Sequence, residues 1–304
     1  MLLYTHPACI NHLPGVGHPE SPARLRAVLE SLDHDRFAVL DRIEAPRATR
    51  EQLARAHTDA LIEAIADAAP TEGFCQIDAD TLMSPDSLEA ALRAAGAVCA
   101  AVDALLDDKA KRAFCAVRPP GHHATRATAM GFCLFNNVAV GAAHALARGL
   151  KRVAIVDFDV HHGNGTQDIF WKDARVLYAS THQSPLYPGT GAADETGVGN
   201  IVNAPLPAAA SSFAFREAYR EVVLPALERF RPELVMISAG FDAHYLDPLA
   251  NLNLGAPDYD WVTRELVEIA NRHAHGRVVS SLEGGYSLTA LRQSTVAHVG
   301  AMLD

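Results

Sequence analysis

The sequence predicts an α/β fold: a single-domain, open, mainly parallel sheet with helices on both faces. Short apolar runs alternate with segments of helical length, the pattern of βαβ units. The polar, glycine-rich stretches follow those runs. Reactive side chains therefore gather at the carboxyl edge, where open parallel sheets bind ligands. Right-handed crossovers place helices on both faces. No linker divides the 304 residues, so residues 1–304 are expected to form one domain.

Each element has a local reason. Leu2 to Tyr4 reads as a short first strand, and residues 5–21, rich in Pro, Gly and His, as a loop. His6, His12 and His18 on that loop are expected at the surface, with a pocket mouth as the alternative. Ser21-Pro22 opens a helix running to Leu32, with serine as N-cap and proline at its first position. Ala48 to Ala69 contains a capping pattern, Thr49 to Gln52, and at least one helix. Residues 73–85, with Asp78 and Asp80, read as another loop, and Ser87 to Leu106 as a long alanine-rich helix. Ala113 to Val117 is a strand that Pro119 and Pro120 end. Arg152 to Phe158, Val176 to Ser180, Leu234 to Ser238 and Arg277 to Leu282 supply further strands. Helices are expected up to Leu146, over 167–171, 212–230 and 258–273, and at the end of the chain. Residues 183–200 form a long glycine-rich loop of the kind that shapes a site.

Composition narrows the function. The chain is 49% hydrophobic and 20% charged, so it builds a sizeable core. Its formal net charge of -10 argues against nonspecific nucleic-acid binding and is compatible with a cationic substrate or with acidity that only aids solubility. Five scattered cysteines without a CxxC pair point to reduced thiols and a cytoplasmic location. No apolar stretch is long enough to span a membrane, and no signal peptide is evident. Neither a dinucleotide fingerprint, a phosphate loop nor a GxSxG elbow is present.

The chemistry centres on Val156-Asp157-Phe158-Asp159-Val160-His161-His162-Gly163-Asn164-Gly165. In an extended chain Asp157, Asp159 and His161 point to one side. Asp159 and His161 can reach one cation, and Asp242, at another strand end, is the best third ligand. Carboxylate with imidazole suits zinc or a similar divalent ion, and three protein ligands leave an open position. His122 and His123 sit on a loop stiffened by two prolines and can transfer protons. Asp157 can orient one of these imidazoles and Asn164 the other. Tyr286 can place a phenol beside the metal and stabilise an oxyanion. Phe132, after Gly131, is a candidate channel wall. Together these parts point to metal-assisted hydrolysis of an amide without a covalent intermediate.

The chain resembles the histone deacetylase family. From about Gly17 to Tyr286, the blocks RPPGHHA, GFCLFNNVAV, VDFDVHHGNGTQ, YPGTG, SAGFDAH and LEGGY follow one another in that family's order. The resemblance implies the arginase–deacetylase fold, one zinc on Asp159, His161 and Asp242, and release of acetate from an acylated amine. It implies His123 as the main acid–base group, His122 paired with Asp157, and Tyr286 as the carbonyl-polarising tyrosine. Arg24 then lies beneath the site, and Phe132 and Tyr187 form the two walls of an acyl-lysine channel. Asp80 corresponds to a rim aspartate, and Asp157, Asp159, His161 and Ser180 to a potassium site. Asn164 in HHGNG resembles the class II branch. Leu249 stands where the polyamine-specific animal member has a glutamate. The resemblance thus favours an acyl-lysine protein or peptide as substrate, with acetylated polyamines or other small amides as the alternative. A binding protein for acylated amines and a ureohydrolase are the remaining readings. Tyr286 weighs against the first, and the tandem histidines against the second.

Overall fold

Apolar runs and the turns that end them determine where the backbone pairs. The computed structural model describes residues 1–304. Its strands are β1 (Leu2–Thr5), β2 (Asp41–Glu44), β3 (Cys75–Gln76), β4 (Leu82–Met83), β5 (Arg112–Cys115), β6 (Val153–Asp157), β7 (Val176–Gln183), β8 (Ile201–Leu206), β9 (Leu234–Ala239) and β10 (Val278–Leu282). Eight of them form one parallel sheet in the order β2-β1-β5-β10-β9-β6-β7-β8. β3 and β4 form a separate antiparallel pair. The last two strands enter the sheet between β5 and β6. That insertion makes β5, β10, β9 and β6 neighbours, so four loops meet over the middle of the carboxyl edge.

The helices are α1 (Pro7–Asn11), α2 (Pro22–Ser31), α3 (Arg50–Ala54), α4 (Asp59–Asp67), α5 (Ser87–Leu106), α6 (Asn137–Ala147), α7 (Asn164–Phe170), α8 (Ser212–Ala218), α9 (Leu224–Phe230), α10 (Ala256–His273) and α11 (Leu288–Leu303). α5 packs on α6, while α11 packs on α10 and α2. Every residue of β6, β7, β9 and β10 is buried, as a parallel sheet covered on both faces requires. One hydrophobic cluster of 81 buried residues joins the sheet to its helices. All five cysteines are free thiols, and no helix is long and apolar enough to cross a membrane.

The elements differ from expectation in instructive places. Residues 5–21 contain α1, whose N-cap is His6, with Nδ1 accepting from the Ala8 amide at 3.0 Å. Histidine lies outside the usual capping set, so the sequence carries little signal for this start. His12 is buried against Ser87 and Glu20 instead of lying at the surface. The Ser21 side chain makes no cap bond, whereas Thr49 and Gln52 form the expected capping box. Residues 73–85 contain the β3–β4 pair. β2 is polar and β8 contains Pro205, so neither reads as a buried run; both are edge strands, where such residues are tolerated. The helix over 212–230 is interrupted by a π turn at Tyr219–Val223, which ends two residues before Pro225. Proline lacks the N–H that would continue the regular ladder.

Gly96 shows how tightly α5 is placed. A Cβ there would lie 2.0 Å from the Pro46 carbonyl oxygen and 2.5 Å from the Ala48 nitrogen. Alanine favours a helix over glycine by about 1 kcal/mol. Even so, Gly96→Ala is expected to destabilise the protein by roughly 1–3 kcal/mol, the usual cost of overpacking. Urea denaturation measures this, and a variant as stable as the parent would refute the contact.

Candidate active site

The site begins with alternate residues leaving β6. Asp157 accepts the Asp159 amide at 3.1 Å, and Asp159 accepts the His161 amide at 2.9 Å. Each carboxylate thereby fixes the backbone of the next candidate residue. Asp242, after β9, accepts the Val160 amide at 2.8 Å, and Asp159 also accepts the Gly284 amide, after β10, at 2.8 Å. A Cβ at Gly240 would stand 2.0 Å from Asp159 Oδ2, and one at Gly284 2.1 Å from Asp242 Oδ2. Only glycine lets the neighbouring strand ends approach these carboxylates.

One candidate ligand atom each from Asp159, His161 and Asp242 lies within 4.8 Å of the others. His161 Nδ1 is 3.1 Å from Asp159 Oδ1 and 3.2 Å from Asp242 Oδ2. Burial and the charge of Asp159 push the Asp242 carboxyl up to about 7. Burial opposes the charged form of His161, but its bonds to both carboxylates raise it to about 10. The protein's own groups thus hold a proton where negative charge converges. That donor set fits a divalent cation, which would satisfy the same charge without the proton.

The tandem histidines have different partners. His122 Nδ1 lies 3.0 Å from Asp157 Oδ2, and His123 Nδ1 lies 2.8 Å from Asn164 Oδ1. Burial disfavours the charged form of His122, but Asp159 and Asp157 outweigh it and raise its pKa well above the ordinary value. Burial, His122 and His161 together lower that of His123. A neutral His123 whose Nδ1–H donates to Asn164 presents Nε2 as an acceptor. The His122 carbonyl accepts the Gly165 and Thr166 amides at 3.0 and 3.2 Å, which ties this loop to the start of α7.

Above these groups opens a cavity of about 240 Å³. His123 and His161 line it together with Phe132, Tyr187, Leu249 and Tyr286; Asp80, Gly131 and Leu186 complete the wall. Tyr187 meets the His123 ring edge to face at 5.1 Å, and Phe132 meets Tyr286 at 6.1 Å. Gly131 and Phe132 both have left-handed backbones, φ 59° and 68°. A Cβ at Gly131 would lie 2.6 Å from the His123 ring. His18 stacks edge-on against Phe132 at 4.6 Å and contacts the Asp80 carbonyl at 3.1 Å, so of the three loop histidines it is the one beside the mouth.

A histone deacetylase domain is matched over residues 18–302. The chain belongs to the histone deacetylase family. It is 42% identical to a histone deacetylase-like amidohydrolase of Pseudomonas aeruginosa, over 89% of this chain and 73% of that one. It is 37% identical to histone deacetylase 14, chloroplastic, of Arabidopsis thaliana, over 99% of this chain and 76% of that one. The crystal structure of the HDA15 HD domain superposes with a TM-score of 0.94 at 36% identity, covering 100% of this chain and 91% of that one. The architecture is therefore the arginase–deacetylase fold, and membership supports hydrolase activity with a metal ion.

Within this histone deacetylase fold, the supporting residues Tyr178, Glu283 and Asp247 escape motif reading, whereas Arg24 and Ser180 are among the residues the resemblance singles out. Tyr178 donates to Asp157 Oδ2 at 3.1 Å and accepts the Gly163 amide at 3.0 Å. Glu283 accepts the Gly121 and His122 amides at 2.6 and 3.2 Å. Asp247 accepts the amides of Tyr286 at 2.7 Å, Ser287 at 3.2 Å and Leu249 at 3.0 Å. Arg24, buried beneath, donates to the Glu283 and Gly285 carbonyls at 2.5 and 2.6 Å, and its guanidinium lies 4.9 Å from the Tyr286 ring centre. Ser180 faces Asp157 in the β6–β7 ladder, with its hydroxyl 2.9 Å from His182 Nδ1.

The ligand set can be tested directly. Asp242→Ala removes one of three converging donors and is expected to reduce metal content from stoichiometric to trace. Elemental analysis of the purified variant measures this. Undiminished metal would exclude Asp242 as a ligand.

Proposed function

We propose that the protein is a zinc-dependent hydrolase that removes acetyl or related acyl groups from the side-chain amine of lysine or a related amine. The supporting observation is the gradient along the cavity. His123 is 5% exposed, whereas Tyr187 and Leu249 at the opening are 39% and 36% exposed. A slender side chain can therefore enter between aromatic walls and bring its terminal amide to the imidazoles and the Asp159–His161–Asp242 cluster.

In this reading Asp159, His161 and Asp242 hold zinc, which supplies Lewis acidity toward a carbonyl oxygen and a water molecule. His123 takes a proton from the attacking water at Nε2 and later delivers one to the leaving amine. Asn164 keeps that tautomer. His122, charged and paired with Asp157, adds positive potential beside the developing oxyanion. Tyr286 donates its phenolic hydrogen to the substrate carbonyl oxygen. Phe132 and Tyr187 enclose the aliphatic stem, Gly131 lets the wall approach His123, and Asp80 anchors the substrate at the rim. Potassium completes the proposal, bound near Asp157, Asp159, His161 and Ser180. Residues 1–304 act as one deacetylase domain, and the free thiols agree with a cytoplasmic location.

Tyr286→Phe tests the chemistry. It keeps the ring against Phe132 and Arg24 but removes the donor. With metal and folding retained, kcat is expected to fall roughly 10²–10³-fold, the loss typical of one oxyanion donor. KM should change little, since the interaction belongs mainly to the transition state. Near-normal kcat in steady-state kinetics would remove Tyr286 from the mechanism.

The substrate class rests on the mouth. Leu249 offers no partner to a remote ammonium, whose desolvation would go uncompensated. Higher kcat/KM is therefore expected on acetyl-lysine peptides than on acetylated putrescine or cadaverine. Leu249→Glu should move the ratio toward the diamines. Wild-type preference for the diamines would instead establish the small-amide amidohydrolase reading.

A further inference from the structure

The loop between β7 and β8 carries Leu186 and Tyr187 into the cavity wall, yet it has almost no apolar anchorage. Of residues 184–199, only Gly191 is buried. Polar bonds around that glycine hold the loop. Gly191 has φ +90°, and a Cβ there would lie 2.5 Å from His182 Nε2 and 2.7 Å from the His162 ring. Its carbonyl lies 3.0 Å from His182 Nε2, and the neighbouring Thr190 hydroxyl lies 2.7 Å from His162 Nδ1.

The Gly191 and Ala192 amides both turn to one side chain. Glu195 Oε2 accepts the Gly191 amide at 3.1 Å, and Oε1 accepts the Ala192 amide at 3.2 Å. Oε2 also accepts Gln167 Nε2, from α7, at 2.5 Å. Gln167 Oε1 in turn lies 3.1 Å from His162 Nε2 and accepts Asn203 Nδ2 at 2.8 Å. Burial works to raise the Glu195 carboxyl, but the donors Gln167, Ala192 and Gly191 hold it below the usual carboxylate range. The ionised form is the one that can accept all three bonds.

We infer that Glu195 is a positioning residue that fixes the Tyr187 wall of the cavity by fastening the 190–192 segment to α7. The inference rests on the acyl-lysine hydrolase reading for its kinetic consequence but not for its structural one. α7 begins at Asn164, the partner of His123. Glu195 therefore sets the distance between the solvent-exposed wall and the element that orients the proton-transfer group. It touches no substrate atom, so its removal acts on binding more than on the chemical step.

The test uses the metal-loaded full chain and the variants Glu195→Ala and Glu195→Gln. Hydrogen exchange of peptides spanning 184–195 is expected to quicken about tenfold in Glu195→Ala, the effect of losing roughly 1.4 kcal/mol of hydrogen bonding. Peptides from β6, β9 and β10 should be unchanged. On acetyl-lysine peptides KM should rise about 5- to 10-fold, with kcat falling less than about threefold, a loss of binding common to ground and transition states. Glu195→Gln, which keeps one acceptor, should fall between. In a Tyr187→Ala background the Glu195→Ala effect on KM should largely vanish, because both act through one wall. Unchanged exchange in 184–195, an equal fall in kcat, or full additivity with Tyr187→Ala would overturn the proposal. If the wild type hydrolyses no acylated amine, the functional reading fails, while the exchange result still decides whether Glu195 holds the loop.

Discussion

The structure depends on burying several carboxylates together. Asp157, Asp159, Asp242 and Glu283 come from three adjacent strand ends and are almost wholly inaccessible. An isolated buried carboxylate is costly, and several together more so. The fold offsets this with backbone amides from the turns themselves: those of Asp159, His161, Val160, Gly284, Gly121 and His122. Parallel strands suit this task, since each one ends at the same edge with its following amides free. The imidazole of His122 adds positive charge, and at Asp159 and Asp242 either a protonated His161 or a divalent ion bound in place of that proton would complete the balance.

The same arrangement separates two otherwise equivalent histidines. His122 faces a carboxylate and His123 an amide oxygen. A charged partner favours the imidazolium and a neutral one does not. Two groups whose environments drive them apart can serve different roles in one reaction. The loop carrying them is locked from both sides, by Glu283 at its amides and by α7 at the His122 carbonyl. The difference between the rings is thereby built into rigid elements.

Much of this was legible because the reactive residues sit next to strong punctuation. Pro119-Pro120-Gly121, the glycines after His162, and Gly284-Gly285 each mark a strand end beside a polar group. The helix over 87–106 and the Thr49 capping box also followed from local pattern. Other features required the fold. Tyr178 lies within an apolar strand and reads as core, yet its hydroxyl reaches Asp157. Glu283 and Asp247 act through backbone amides far away in sequence or around a tight turn, and a backbone amide leaves no trace in residue type. β2, β8 and α1 depend on tertiary pairing or an unusual cap more than on propensity. The insertion of β9 and β10 between β5 and β6 is a matter of topology, and it brings Asp242 to Asp159.

The chamber and its mouth are made differently. The inner groups belong to strand ends and to the first turn of α7, where the backbone is already paired. The mouth is made from loops, held largely by polar side chains such as Glu195, His182 and Asp247. Asp247 shows the consequence. One of its oxygens accepts the Leu249 amide and the other the amides of Tyr286 and Ser287. A rim residue and the phenol proposed to polarise the substrate carbonyl therefore share one carboxylate. Moving the Leu249 segment pulls on the same group that orients the Tyr286 backbone. The segment before Asp247 can vary where it meets solvent, at the exposed Tyr245 and Leu246. It has little freedom at Asp247, which joins the Leu249 segment to the backbone of Tyr286.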